Sequence, residues 1–226
     1  MDSTRELERV RPARTSGGGR RSVGWVVMTV MAVGLALYSA RYFSLNSSLF
    51  LPAQKAVYLA HLGPLLLHVG GGVVALALGP WQFARRIRSR HPRVHRWTGR
   101  IYLTAALTAG AGGLLLAPLS LGGPLAHGGF AALAILMLLT TARAYLAIRR
   151  GQIAVHRAWM TRSYALIFTA VTFRTWLGLA FLGLPYAQVY AVGAWVSWLI
   201  NLYLAELLIA RLNAGANRRS PAGGTG

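Results

Sequence analysis

Six stretches of this chain are each long and apolar enough, as helix, to cross a hydrocarbon core of about 30 Å, which takes roughly 20 residues. They fall at about 23–44, 57–83, 97–118, 125–148, 158–183 and 188–210. Between them lie Asn46-Ser47-Ser48, Ser120-Leu121-Gly122-Gly123-Pro124 and Gly183-Leu184-Pro185 on one side and strongly basic segments on the other, with no room for a soluble domain. The pattern predicts an all-α integral membrane protein with six transmembrane helices, a membrane domain at 23–212 and a core at 57–183. Composition points the same way: 12% of residues are charged, where a soluble domain has about a quarter. A water-soluble enzyme is excluded. The absence of cysteine excludes disulfides, zinc–thiolate sites, iron–sulfur clusters and thiol catalysis, so redox chemistry here needs a bound cofactor. No carboxylate pair, nucleophile elbow or phosphate loop points to classical enzyme chemistry.

The charges give an orientation. Of 24 basic residues, 23 of them arginine, six precede the first span, seven lie between Arg85 and Arg100, five between Arg143 and Arg162, and three follow the last span. That puts 21 of 24 on one side, which the positive-inside rule assigns to the cytoplasm together with both termini. The exceptions are Arg41, Lys55 and Arg174. The formal charge of +20 is then a topology signal with attraction to anionic membrane lipid, and nucleic acid is not an expected partner. Residues 1–22 and 213–226 are expected to be disordered tails, the first of them basic. Arg20-Arg21 ahead of an apolar run resembles an export signal, but the run from Val23 to Ala40 is too long and lacks a cleavage site, so it is kept as the first span.

Four of the six histidines belong to a two-helix repeat, seen when 68–102 is laid over 127–164. His68-Val69-Gly70-Gly71 matches His127-Gly128-Gly129-Phe130, and Arg85 matches Arg143. His95-Arg96-Trp97-Thr98-Gly99-Arg100-Ile101-Tyr102 parallels His156-Arg157-Ala158-Trp159-Met160-Thr161-Arg162-Ser163-Tyr164, with one extra residue in the second copy. Such repeats pack about a pseudo-two-fold axis, here with spans 2–5 as a four-helix bundle and equivalent histidines opposite one another. His68 and His127 stand roughly 25 Å from Arg85 and Arg143 at 1.5 Å per residue, while His95 and His156 lie near the cytoplasmic interface. Two layers result, roughly 20–25 Å apart.

Imidazoles facing across a four-helix bundle suit the two axial positions of a haem iron. His68 with His127 and His95 with His156 are the candidate ligands of one or two b-type haems. Gly71 and Gly72, with Gly70, Gly128 and Gly129, offer room for a macrocycle; the competing reading is close helix contact through small residues. For His68 and His127, in or near hydrocarbon, the alternative to ligation is a hydrogen bond to a neighbouring helix. For His95 and His156, lipid phosphate or a helix cap weighs equally, and the repeat symmetry is the argument for ligation. His61, seven residues before His68, is a substitute outer ligand or a propionate contact; His91 ahead of Pro92 reads as a helix start. Arg174 is a cation inside the fifth span that needs a partner. A haem propionate would serve, as would backbone carbonyls or snorkelling to the surface, while Glu206 is expected to balance Arg100, Arg162 or Arg211. Trp81, Trp97, Trp159, Tyr102 and Tyr164 read as an aromatic belt at the interface, Met160 as packing, and Pro64 as a kink in the second span.

Gly79-Pro80-Trp81-Gln82-Phe83 and the two histidine–arginine motifs quoted above resemble a bacterial family of predicted membrane proteins, domain of unknown function 2306, over about residues 57–205. The resemblance implies a multi-pass protein of the bacterial plasma (inner) membrane and carries no assigned activity. In architecture the layout is also similar to the di-haem transmembrane b-type cytochromes, whose outer ligands would correspond to His68 and His127 and inner ones to His95 and His156. The expected function is electron transfer by bound haem b, a possible transmembrane oxidoreductase with quinone or a small reductant as partner. The alternatives are a small transporter or anionic-lipid-binding protein without cofactor, and a membrane scaffold or assembly partner.

Overall fold

The computed structural model describes residues 17–217. Eight α-helices follow one another: α1 Gly17–Ala40, α2 Lys55–Ala60, α3 Leu62–Phe83, α4 Arg85–Arg90, α5 Pro92–Leu116, α6 Gly123–Arg149, α7 Ile153–Leu177 and α8 Tyr186–Asn217, with short 3-10 turns between them and no strand among the described residues. Six helical stretches are long and apolar enough to cross a membrane: Val23–Ser44, Leu62–Phe83, Pro92–Leu119, Gly123–Arg149, Ile153–Leu182 and Tyr186–Gly215. The expected six-span all-α class is the one observed. Large apolar side chains such as Val30, Leu37, Leu139 and Leu204 point outward, as they do when the surroundings are lipid tails rather than water.

α3, α5, α6 and α7 form a ring in which α3 packs on α5, α5 on α6, α6 on α7 and α7 back on α3. α3 and α6 are thus one diagonal of the bundle, α5 and α7 the other. α1 lies outside against α3, and α8 against α7 and α6. Short connections force such antiparallel neighbours, and small residues set how closely they approach. A Cβ on Gly71 would overlap the α5 backbone at Ala105 and Ala109, one on Gly112 the α3 backbone at Pro64 and His68, and one on Gly79 the ring of Tyr164. Ala75, Ala106, Ala109, Met137, Ala144, Met160 and Leu166 fill the core between them.

Two breaks differ from the expected outline. Pro64 does not kink a continuous helix; the chain breaks at His61 (φ −128°, ψ 44°), and Pro64 sits in the first turn of α3. A proline ring collides with the carbonyl four residues before it and offers no N–H to it, so the helix ends at Ala60 and restarts. A second break falls at Ala84 (φ −67°, ψ 109°) and separates α3 from α4. There the Ala84 N–H turns back to the Trp81 carbonyl, and the Pro80 carbonyl receives the indole N–H of Trp25 instead, at 3.1 Å. Pro92 opens α5 after His91, as the sequence suggests. α1 begins at Gly17, six residues ahead of the expected first span, and α8 continues to Asn217. The rest of the expected tails, 1–16 and 218–226, lie outside the described residues.

Candidate functional site

The two ends of the bundle differ in chemistry. The distal end carries residues 41–61, 117–122 and 178–185; the basic end carries α4 and the arginine-rich starts of α5 and α7. His68 on α3 and His127 on α6 occupy one diagonal, towards the distal end, and His95 on α5 and His156 on α7 the other, towards the basic end.

Their ring nitrogens are not all used alike. His68 lies against Gly113 with Nδ1 2.9 Å from the Ala109 carbonyl oxygen. His156 has Nδ1 2.8 Å from the Ala144 carbonyl oxygen, and His61 has Nδ1 3.0 Å from that of Val57. A carbonyl accepts only from N–H, so each of these rings carries its proton on Nδ1 and leaves Nε2 without a hydrogen-bond partner among the described residues, the nitrogen that a metal-bound histidine of this kind uses. His127 differs: its Nε2 is the nitrogen engaged, 2.9 Å from the Ser120 carbonyl oxygen. His95 has a buried Nδ1 with no partner among the described residues and lies within Coulombic range of Arg88, His156 and Arg157. The break at Ala84 accounts for the contrast between His95 and His156. α6 runs unbroken to Arg149 and brings the Ala144 carbonyl to His156, whereas the matching stretch of the first copy has left the helix axis.

Between the two histidine layers lies a buried polar level. The Tyr102 hydroxyl is 2.9 Å from Ser163 Oγ, which is 2.8 Å from Thr141 Oγ1, and all three residues are at most 0% exposed. Tyr164 stacks at a tilt nearby, ring centroids 6.3 Å apart, with its hydroxyl buried and unpartnered. These two tyrosines are therefore inside the bundle, not in the interfacial belt to which the sequence assigns them. Tyr102 is two turns beyond His95 on the same face of α5, about 10 Å deeper. Trp159 does behave as an interfacial residue, with Arg143 and Arg162 at 5.0 and 4.6 Å from its ring centroid.

Arg174 sits in the last turn of α7 at the distal end, where its Nη1 donates to the Ala170 carbonyl at 3.0 Å. It lies within Coulombic range of Tyr38, Tyr42, Tyr58 and Tyr190 and of His68. Glu206, the single acidic residue among those described, is held bidentately by Arg162 at the basic end, Nε to Oε1 at 2.5 Å and Nη2 to Oε2 at 2.8 Å. Gly71 is occupied by contact with α5, whereas Gly72 faces open space. No group of three or more metal-ligating side chains forms among the described residues.

Sequence reasoning missed the distal aromatic cluster. Tyr42, Phe50 and Tyr58 meet with ring centroids 5.4, 6.1 and 6.0 Å apart. The available signal is an aromatic residue every eighth position in a segment with no helical periodicity.

Residues 65–209 match the family described as "Predicted membrane protein (DUF2306)". No curated protein and no solved structure matches the chain.

Proposed function

The chain belongs to the DUF2306 family of predicted membrane proteins, whose match covers well over half its length, and from that premise we propose that it is a bacterial inner-membrane electron carrier that binds b-type haem. The observation that carries this reading is the placement of two histidine pairs on the two diagonals of the bundle, with His68 and His156 each presenting Nε2 after giving Nδ1–H to a backbone carbonyl. Haem supplies one-electron chemistry. The residues of the chain hold and tune it: His68 with His127 at the distal level, His95 with His156 at the basic level, Gly72 leaving space beside His68, and Arg174 offering a cation to a carboxylate near His68. His127 joins this set by releasing the Ser120 carbonyl. Quinone or a small reductant is the proposed exchange partner, and the protein acts as a transmembrane oxidoreductase with both termini cytoplasmic.

Purified from haem-replete cells in mild detergent, the protein should give a reduced-minus-oxidised b-type spectrum; a colourless preparation overturns the proposal. His68→Ala and His127→Ala should remove one spectral component, His95→Ala and His156→Ala the other.

A second reading, binding of anionic membrane lipid, is favoured by the basic end. Burial and the neighbouring charges of Arg157 and Arg85 hold the Arg88 guanidinium below its ordinary pKa, and a lipid phosphate would relieve that crowding. Enrichment of anionic lipid in the purified wild type, lost in Arg88→Gln/Arg157→Gln, would support it.

A further inference from the structure

We propose that the seam of α6, α7 and α8 at the basic end holds a lipid-phosphate site, in which the Arg143 guanidinium, seated on the Trp159 indole, takes the phosphodiester of an anionic membrane lipid. Direct contacts place its parts. Arg143 of α6 has its guanidinium carbon 5.0 Å from the Trp159 ring centroid, and Arg162 of α7 reaches the same ring at 4.6 Å. Arg162 is in turn fixed to Glu206 of α8 through Nε and Nη2. The Trp159 ring itself packs on the bundle core.

The charges in this group do not balance. Glu206 is the single carboxylate among the described residues and neutralises Arg162, so Arg143 keeps one positive charge and has no counter-ion among them. An indole attracts a cation through its ring quadrupole but offers no lone pair to the guanidinium N–H groups. Those N–H groups form a fork that matches the oxygens of a phosphate, and one surplus charge suits a phosphodiester. The surroundings fit the rest of a lipid. Arg143 stands six residues before the end of α6 at Arg149, about 9 Å along the axis towards the bilayer centre. Ile135 and Leu139, in the row of every fourth residue that ends at Arg143, are 46% and 50% exposed and make an apolar ridge for an acyl chain. The first copy of the repeat shows what the arrangement requires. There Arg100 lies 5.1 Å from the Trp97 centroid, but Arg85, the counterpart of Arg143, falls beyond the break at Ala84. The unbroken α6 is what brings a second arginine to the ring.

The site shares its class of ligand with the lipid reading above, but rests on other residues than the α4 cluster and on none of the haem candidates. The full-length chain in mild detergent is titrated by native mass spectrometry, which counts bound lipids, with phosphatidylglycerol or phosphatidylcholine of equal chain length. Bound phosphatidylglycerol is then challenged with inorganic phosphate at constant ionic strength. Phosphatidylglycerol should bind at least tenfold more tightly than phosphatidylcholine, and Arg143→Gln should remove one tightly bound molecule. Arg143→Lys keeps the charge without the fork and should weaken that molecule at least threefold, as should Trp159→Leu, which removes the seat. Arg149→Gln, at the end of the same helix, should change nothing. Arg143 is exposed, so its variants should fold and decide the matter if Trp159→Leu does not. One tightly bound lipid should remain in Arg88→Gln/Arg157→Gln, where the lipid reading alone leaves none. Equal binding of the two lipids, displacement by inorganic phosphate, a loss shared equally by Arg149→Gln, or full occupancy in Arg143→Gln overturns the site.

Discussion

Tyr102 and Tyr164 end the same motif in the two copies of the repeat, yet they do different work because the second copy has one extra residue. On α5 the position seven residues beyond His95 is Tyr102; on α7 the position seven beyond His156 is Ser163, and Tyr164 is turned about 100° around the helix. Two tyrosines at equivalent positions would compete for the one space in which Tyr102 meets Ser163. The insertion replaces that collision with a hydrogen bond between tyrosine and serine. Tyr102→Phe should therefore cost about 1 kcal/mol, whereas Tyr164→Phe removes a buried unpartnered hydroxyl and should leave stability unchanged or raised; equilibrium unfolding in detergent compares the two. The insertion was visible in the sequence, but its meaning was not, since periodicity alone does not say which residue of α7 meets Tyr102. At the distal end, burial and nearby Tyr42 push the Tyr58 hydroxyl up to about 12. The folded state favours the neutral phenol, so this contribution is complete below pH 10 and is lost as pH rises towards 12. Tyr58→Phe should flatten the fall in stability across that window, and the tyrosinate absorbance lost in the variant should titrate near 12.

Helices α3 and α5 approach through Gly71 and Gly112, whose missing side chains let each backbone lie on the other. Gly71→Val should force them apart, at a cost on the order of 3 kcal/mol, with a lower unfolding midpoint and less protein recovered in the membrane. Gly72→Ala, one residue on and facing open space, should stabilise α3 of the haem-free chain by roughly 0.5–1 kcal/mol. The existence of every long helix was legible, because about 20 apolar residues in a row have few other solutions. The breaks were less so. Pro64 signalled a disturbance in the second span, but the steric conflict of a proline lies one turn before it, and that is where the chain gives way. α4 carried no signal at all: a six-residue helix of four arginines has no apolar stripe to reveal it.

For the molecule as a whole, an even number of spans, six, puts both ends of the membrane domain on one side, and the orientation proposed from the arginine count makes that side the cytoplasm. A fluorescent protein fused after the C-terminus should fold and fluoresce in the cytoplasm, while alkaline phosphatase fused within 120–124 should be active on the far side; the reverse pattern would invert the proposed orientation. The internal repeat was readable from the histidine–arginine motifs, and the structure adds that its two copies are unequal at the basic end. In the second copy α6 is one continuous rod, while in the first the arginines of α4 are joined to their neighbours by single non-helical residues at Ala84 and His91. A bilayer that thins or thickens demands a compensating movement from whatever crosses it. In the first copy the breaks at Ala84 and His91 set α4 apart from the spans on either side of it, whereas in the second copy α6 runs unbroken to Arg149, so a change in bilayer thickness is expected to act unequally on the two copies.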